Sequence, residues 1–556
     1  MTASESPVSS RNSFHTASWS PDGRVPEEQA YVVGLDGPKI YRSARQLPNE
    51  LRIQCNIYLN EKLYTAGIAL LNSVLTAGLS NSQAQTSPAC IPTPMQIEFI
   101  ITLLVHPFYT SNRLPEDSPE ISSGSLTFLK TLLSVVGPAN ANFGAALNFT
   151  SSALKNTRRS RFNASEDVNS DIDEERESMN NILASRESIR NRAVDFWHAV
   201  GWAFNCSVRY PERWTYWKIW LEFMLDVLES DWAERERQDH EAHASMNDLQ
   251  GECEFSHLGQ SLLVSYFAEA RRRSAGTRRI IKSTFANGDY DALKAFPAVF
   301  ENEERSNHKR KFAEDRGHCR LNIQDDEDDI AASQELVEEV GDMDEEEVAR
   351  ASTLGGIEAV HLRQRFLGLL SRASMTLPEI LGDGLEIYRI YVDCITTLPL
   401  PGLSLFITPS MDFRVLPEVF CSLDQMLLVR LMPSGVRRPK QTTDSISQDT
   451  LEEYYLPHCA HTTSIVDNAK FSILIESLLR LFLVADCALE YTPGLVEAVE
   501  TGIKAREKKA AAKIDRRKKV NAMRREAEEV ERMWLETSGQ RLREILAYVR
   551  EQQEST

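Results

Sequence analysis

The chain has 556 residues, of which 42% are hydrophobic and 26% charged, and its formal net charge is -19. A single hydrophobic core stops growing well below that length, so two or more units or a repeat array are expected. The acidic balance does not imply a global affinity for nucleic acid, and any such contact must come from local basic patches. A membrane span is excluded as well, because the most apolar stretch, 471–491, carries Glu476, Arg480 and Asp486 and reads as a buried core helix.

Residues 1–27 are rich in Ser and Thr and have no apolar run, which predicts a disordered tail rather than a signal peptide. Ser6-Pro7 and Ser20-Pro21 fit proline-directed kinases as well as they fit an unmodified tail. From about 45 the apolar spacing becomes helical, with Leu63, Ile68, Leu71, Val74 and Leu75 on one face. Pro92, Pro94, Pro107, Pro115 and Pro119 punctuate the connections between helices. Strand-type alternation is nearly absent, and no fixed repeat period emerges. A first helical unit is expected over 28–305, with a charged, flexible insertion at about 155–180.

The aromatic segment 194–232 holds Trp197, Trp202, Trp214, Trp217, Trp220 and Trp232, six of the eight tryptophans. Pro211 suits the first turn of a helix. Beyond it Trp217, Trp220, Leu221, Met224, Leu225, Leu228 and Trp232 form a broad apolar face. These rings read as an aromatic core or as a partner groove, and the core is favoured. A basic cluster follows at Arg271, Arg272, Arg273, Arg278, Arg279 and Lys282, a candidate for phosphate contact.

Composition shifts after 305. Lys309, Arg310 and Lys311 precede a stretch, 321–350, with thirteen acidic residues against Arg350 alone, and 306–353 is expected to be an acidic disordered linker. A second helical unit is expected over 354–492. Residues 493–556 read as one long basic helix with coiled-coil character. From Lys504 to Lys519 nine basic residues face Glu507 and Asp515, and Met523, Ala527, Val530 and Trp534 then alternate by four and three. The fold class is therefore all-α, an irregular helical-repeat or bundle scaffold in two units with a long C-terminal helix.

Motifs for chemistry are missing. There is no GxxxxGK[ST] loop and no GxSxG elbow, and Gly382-Asp383-Gly384 follows no strand. His240 and His243 are three apart, where the zinc-protease helix needs four. His458, Cys459 and His461 lack a sequence-near pair to complete a tetrahedral site. The nine cysteines are scattered and odd in number, as expected of free thiols in a reducing compartment. No enzyme, metal or cofactor is expected.

Two basic clusters fit nuclear-import recognition: Lys504, Arg506, Lys508, Lys509, Arg516, Arg517, Lys518 and Lys519, and Lys309, Arg310 and Lys311. A solvated helix face is the bland alternative for both. The expectation is a non-enzymatic scaffold or adaptor subunit of a nuclear multiprotein complex, in chromosome maintenance or DNA repair. Its partners would be protein subunits, with weak nucleic-acid contact through the basic helices. The alternative is a nucleic-acid-associated helical factor in RNA or ribosome maturation, and an unrecognised enzyme is third.

Overall fold

Two helices organise the amino-terminal half because they are apolar on every side, the pattern of a helix buried all round. In this computed structural model Thr93 caps the first of them through a reciprocal pair: its Oγ1 accepts from Gln96 N at 3.3 Å and its N donates to Gln96 Oε1 at 3.1 Å. Every residue from Met95 to Val105 is then buried. Asp195 caps the second by accepting from His198 N at 2.6 Å, and Phe196 to Val208 are buried without a break. The structure describes residues 41–555 except 78, 80–86, 111–117, 150–178, 180, 246–254, 273–275, 302, 304–344, 383, 409–416, 440–445, 485–488 and 512–521.

The main helices in chain order are α1 (Asn49–Asn60), α2 (Tyr64–Thr76), α3 (Pro94–Val105), α4 (Ser118–Val136), α5 (Phe196–Arg209), α6 (Pro211–Ser245), α7 (Leu262–Arg272) and α8 (Gly276–Thr284). They continue with α9 (Glu345–Ser352), α10 (Ile357–Thr376), α11 (Gly384–Thr397), α12 (Leu400–Ile407), α13 (Pro417–Leu431), α14 (Ile465–Val484), α15 (Pro493–Ala511) and α16 (Ala522–Ser555). The chain is all-α apart from β1 (Ala44–Gln46) and β2 (Ala89–Ile91), a short parallel pair in which Ala44 faces Ala89 and Gln46 faces Ile91. Helix α3 packs on α4 and α6, and α5 on α6 and α8.

The expected insertion lies outside the described residues but for Met179, which is buried. The expected linker lies outside them only as far as 344; its last residues form α9. This helix buries none of its residues and docks through polar contacts: Arg350 Nε donates to Val208 O at 2.8 Å, and Arg209 pairs with Glu347 at 2.5 Å.

Helices on either side of the acidic stretch share one core. Helix α10 runs parallel to α6, with Glu358, Arg365 and Arg372 seven residues apart on one edge. Lys218 meets Glu358 at 2.8 Å, Arg365 meets Asp226 and Glu229 at 2.7 Å each, and Arg372 meets Glu236. Inside this seam Arg363 is fully buried. Its guanidinium donates to Thr284 O, to Ala286 O at 2.9 Å and to Leu354 O at 3.2 Å, and lies 4.0 Å over the Phe204 ring. Those carbonyls sit at and just beyond the C-terminal ends of α8 and α9, where the helix dipole favours a cation. One side chain thus ties α10 to α5, α8 and α9.

The carboxy-terminal region departs from the single helix expected over 493–556. It forms two antiparallel helices, since Tyr491 N meets Gln553, Glu500 meets Arg543 and a Cβ at Gly539 would touch Ile503. The cause is the apolar stripe of Leu535, Leu542, Ile545, Leu546 and Val549, which is buried against α14 and α15 and needs α16 folded back on them. Helix α14 is the core helix that the stretch 471–491 predicted, and none among the described residues is long and apolar enough to cross a membrane.

Candidate functional site

Helix α15 carries the first part of the basic run, as far as Lys509. Gly502 lets α15 press on the loop before α14, because a Cβ there would stand 1.9 Å from Leu456 O. One turn on, Arg506 is 1% exposed and its Nη1 donates to Leu456 O at 3.3 Å and His458 O at 3.1 Å. Burial pushes its pKa down to about 10, so it stays charged at neutral pH. Helix α16 is held from the other side: Ser538 Oγ donates to Ser472 Oγ at 3.0 Å, and Arg541 Nε reaches both Glu476 oxygens at 2.8 Å.

This bracing sorts the import candidates. Lys504 and Lys508 are exposed and Lys509 is half-buried. Arg506 points inward, buried from solvent with its Nη1 on the loop carbonyls, and so is not presented for import recognition. Arg516, Arg517, Lys518, Lys519, Lys309, Arg310 and Lys311 lie outside the described residues. The coiled-coil stripe splits. Val530 is 51% exposed and Trp534 half-buried, while the side chains of Met523 and Ala527 lie outside the description.

The cluster at 271–282 does not form one face. Arg279 turns inward to Asp195 at 3.4 Å and lies 4.9 Å over the Phe296 ring. Arg271 donates to Ile380 O, and Arg278 stands 3.4 Å from Asp393. Arg272 and Lys282 are exposed, and Arg273 lies outside the described residues. Much of the charge that sequence reading offers to phosphate therefore ties α7 and α8 to neighbouring elements.

The six tryptophans are core. Trp214 is 8% exposed and the other five at most 1%. Trp197 Nε1 donates to Tyr266 O at 3.2 Å and Trp217 Nε1 to Glu303 Oε1 at 3.0 Å, while Phe196 stacks on Tyr266 at 4.3 Å. The histidine clusters serve as structure: His240 lies edge-on to Phe255, and His461 places its backbone N and ring Nδ1 on Leu431 O. Among the described residues no three His, Cys, Asp or Glu are grouped to hold a metal ion.

Two features escape sequence reading. One is a buried polar hub in which Glu303 accepts from Arg213, Trp217 and Phe300 N, while Arg213 also reaches Thr110 and Val105 O. Burial raises the Glu303 pKa in spite of these donors. The other is an open cleft of about 440 Å³ beside the first turns of α15, lined by Asp449, Glu452, Glu453 and Glu497 with Gly494 and Thr501. The acid-rich text QDTLEE is its only sequence signal. Comparison with protein-family models, curated proteins and solved structures finds no match.

Proposed function

We propose that the protein is a non-enzymatic helical scaffold or adaptor subunit of a nuclear multiprotein complex, serving chromosome maintenance or DNA repair. The observation that carries this reading is the use to which the interior ionisable groups are put. Arg363, Arg506, Arg213 with Glu303, and Arg541 with Glu476 each tie separate elements together. A rigid helical body of this kind offers its outer helix faces for docking. The nuclear assignment is supported by Lys504 and Lys508 on the exposed side of α15, leading into the Arg516-Arg517-Lys518-Lys519 run of the sequence. The test is localisation of the tagged full chain in cells. Replacing Lys504, Lys508 and 516–519 by Gln is expected to move the signal to the cytoplasm, and unchanged nuclear signal would overturn the assignment.

A second reading is favoured by the same exposed lysines. A helix face of this charge grips phosphates without reading bases, as a factor in RNA or ribosome maturation would. Binding to duplex or single-stranded RNA that is insensitive to the same Gln substitutions would count against it.

A further inference from the structure

The outward face of α15 changes sign along its length. Glu497, Thr501, Lys504 and Lys508 are all exposed and succeed one another by four, three and four residues, so they share one side of the helix. At 1.5 Å per residue the acidic and basic ends stand about 16 Å apart. The acidic end is reinforced by Asp449, Glu452 and Glu453, which line the cleft beside Glu497. Of these, Glu453 meets Arg437 at 2.8 Å, and Glu452 accepts from Gln448 at 2.7 Å and Thr492 at 3.3 Å. At the basic end Glu500 pairs with Arg543 beside Lys504, and Glu507 is exposed on the flank of the two lysines.

A purely basic peptide would fit the cleft and be repelled by the lysines. A polyanion would fit the lysines and be repelled by the carboxylates. A partner matching both ends carries the same charges in the opposite order, which is what a second copy of this helix presents when laid antiparallel. The two-fold axis then passes between Gly502 and Ile503, setting Glu497 against Lys508 and Thr501 against Lys504 of the other copy. Gly494, Ala498 and Thr501, which line the cleft, keep this side of α15 low enough for close approach. An interface that pairs a patch with itself is the commonest way for like chains to associate. From this complementarity we infer that the exposed face of α15 is a two-fold interface between copies of this chain.

The attraction is local and acts against the mutual repulsion of two bodies of net charge -19. Salt screens both, so a charge swap decides more than a salt titration. The experiment is sedimentation of the full chain at about 100 µM, where a Kd of roughly 10 µM or tighter gives mostly dimer. Wild type is expected to be dimeric. The Lys504→Glu/Lys508→Glu variant and the Asp449→Lys/Glu497→Lys variant are each expected to weaken self-association at least about tenfold, and their equimolar mixture to restore the dimer. Wild type that stays monomeric, a dimer untouched by either variant, or a mixture of two folded variants that stays monomeric would each overturn the inference. Carbodiimide coupling of mixed isotopically light and heavy wild-type chains covers the case of a variant that fails to fold. The expected product joins Lys508 of one copy to Glu497 of the other, and its absence counts against the interface. These readouts are independent of localisation, so failure here leaves the functional proposal standing.

Discussion

Replacing Arg363 by Met removes the tie between α10 and the ends of α8 and α9 while filling most of the space. Three carbonyls, Thr284 O, Ala286 O and Leu354 O, lose their donor inside the core. Each unpaired buried polar group costs about 1–3 kcal/mol, and the lost contact with Phe204 about 0.5–2 kcal/mol. Relief from burying a cation, several kcal/mol, works the other way. Burial pulls the Arg363 pKa down to about 9, which leaves the guanidinium charged at neutral pH. The net expectation is a loss of about 2–4 kcal/mol, read by urea denaturation followed by circular dichroism. Hydrogen exchange should accelerate first at 284–288 and 353–356. Lys in place of Arg keeps the charge but not the planar fork, and should not restore stability. A Met variant as stable as wild type, with protection unchanged at those two turns, would refute the capping argument.

Asp424 is fully buried, and burial raises its carboxyl well above the ordinary value, with the nearby Ser477 hydroxyl offsetting only part. A folded pKa above the unfolded one contributes stability below the unfolded pKa that is lost as pH rises through the folded value. Asp424→Asn should therefore raise Tm at pH 8 and leave it nearly unchanged at pH 3.5, as calorimetry would show. Arg213→Met strips Glu303 of its cation and should cost about 3–5 kcal/mol at pH 8, less at pH 5 where the carboxyl takes up a proton more readily. An equal loss at both pH values would contradict that pairing. Gly502→Ala sets a methyl into Leu456 O and should lower Tm and open the α15–α16 hairpin to proteolysis, whereas Gly144→Ala, into open space, should not.

The helical architecture was legible because its signal is local. The 3.6-residue period, Pro211 at the start of α6 and the dense apolar text of α3 and α5 each act within one element. The tryptophans were legible as far as their periodicity, and only packing decides core against groove. What lay beyond reach depends on partners far away in the chain. The inward turn of Arg506 is dictated by Leu456 and His458 carbonyls, yet in sequence it is one cation in a basic run. The fold-back of α16 is dictated by its stripe meeting α14, while the helix propensity of 493–556 is high throughout and marks no break. The parallel seam of α6 and α10 joins residues well over a hundred positions apart, with an acidic stretch between them that by composition reads as a spacer.

A subunit of a nuclear assembly, as proposed above, leaves the nucleus with its partners. Size-exclusion chromatography of gently extracted nuclei, with the chain tagged at either end and its co-eluting proteins quantified, tests it most directly. The chain is expected to elute well above the size of its own dimer, with the same partners at near-equal stoichiometry for both tags. Elution of the chain by itself, or its exclusion from the nuclear fraction, would overturn the proposed role.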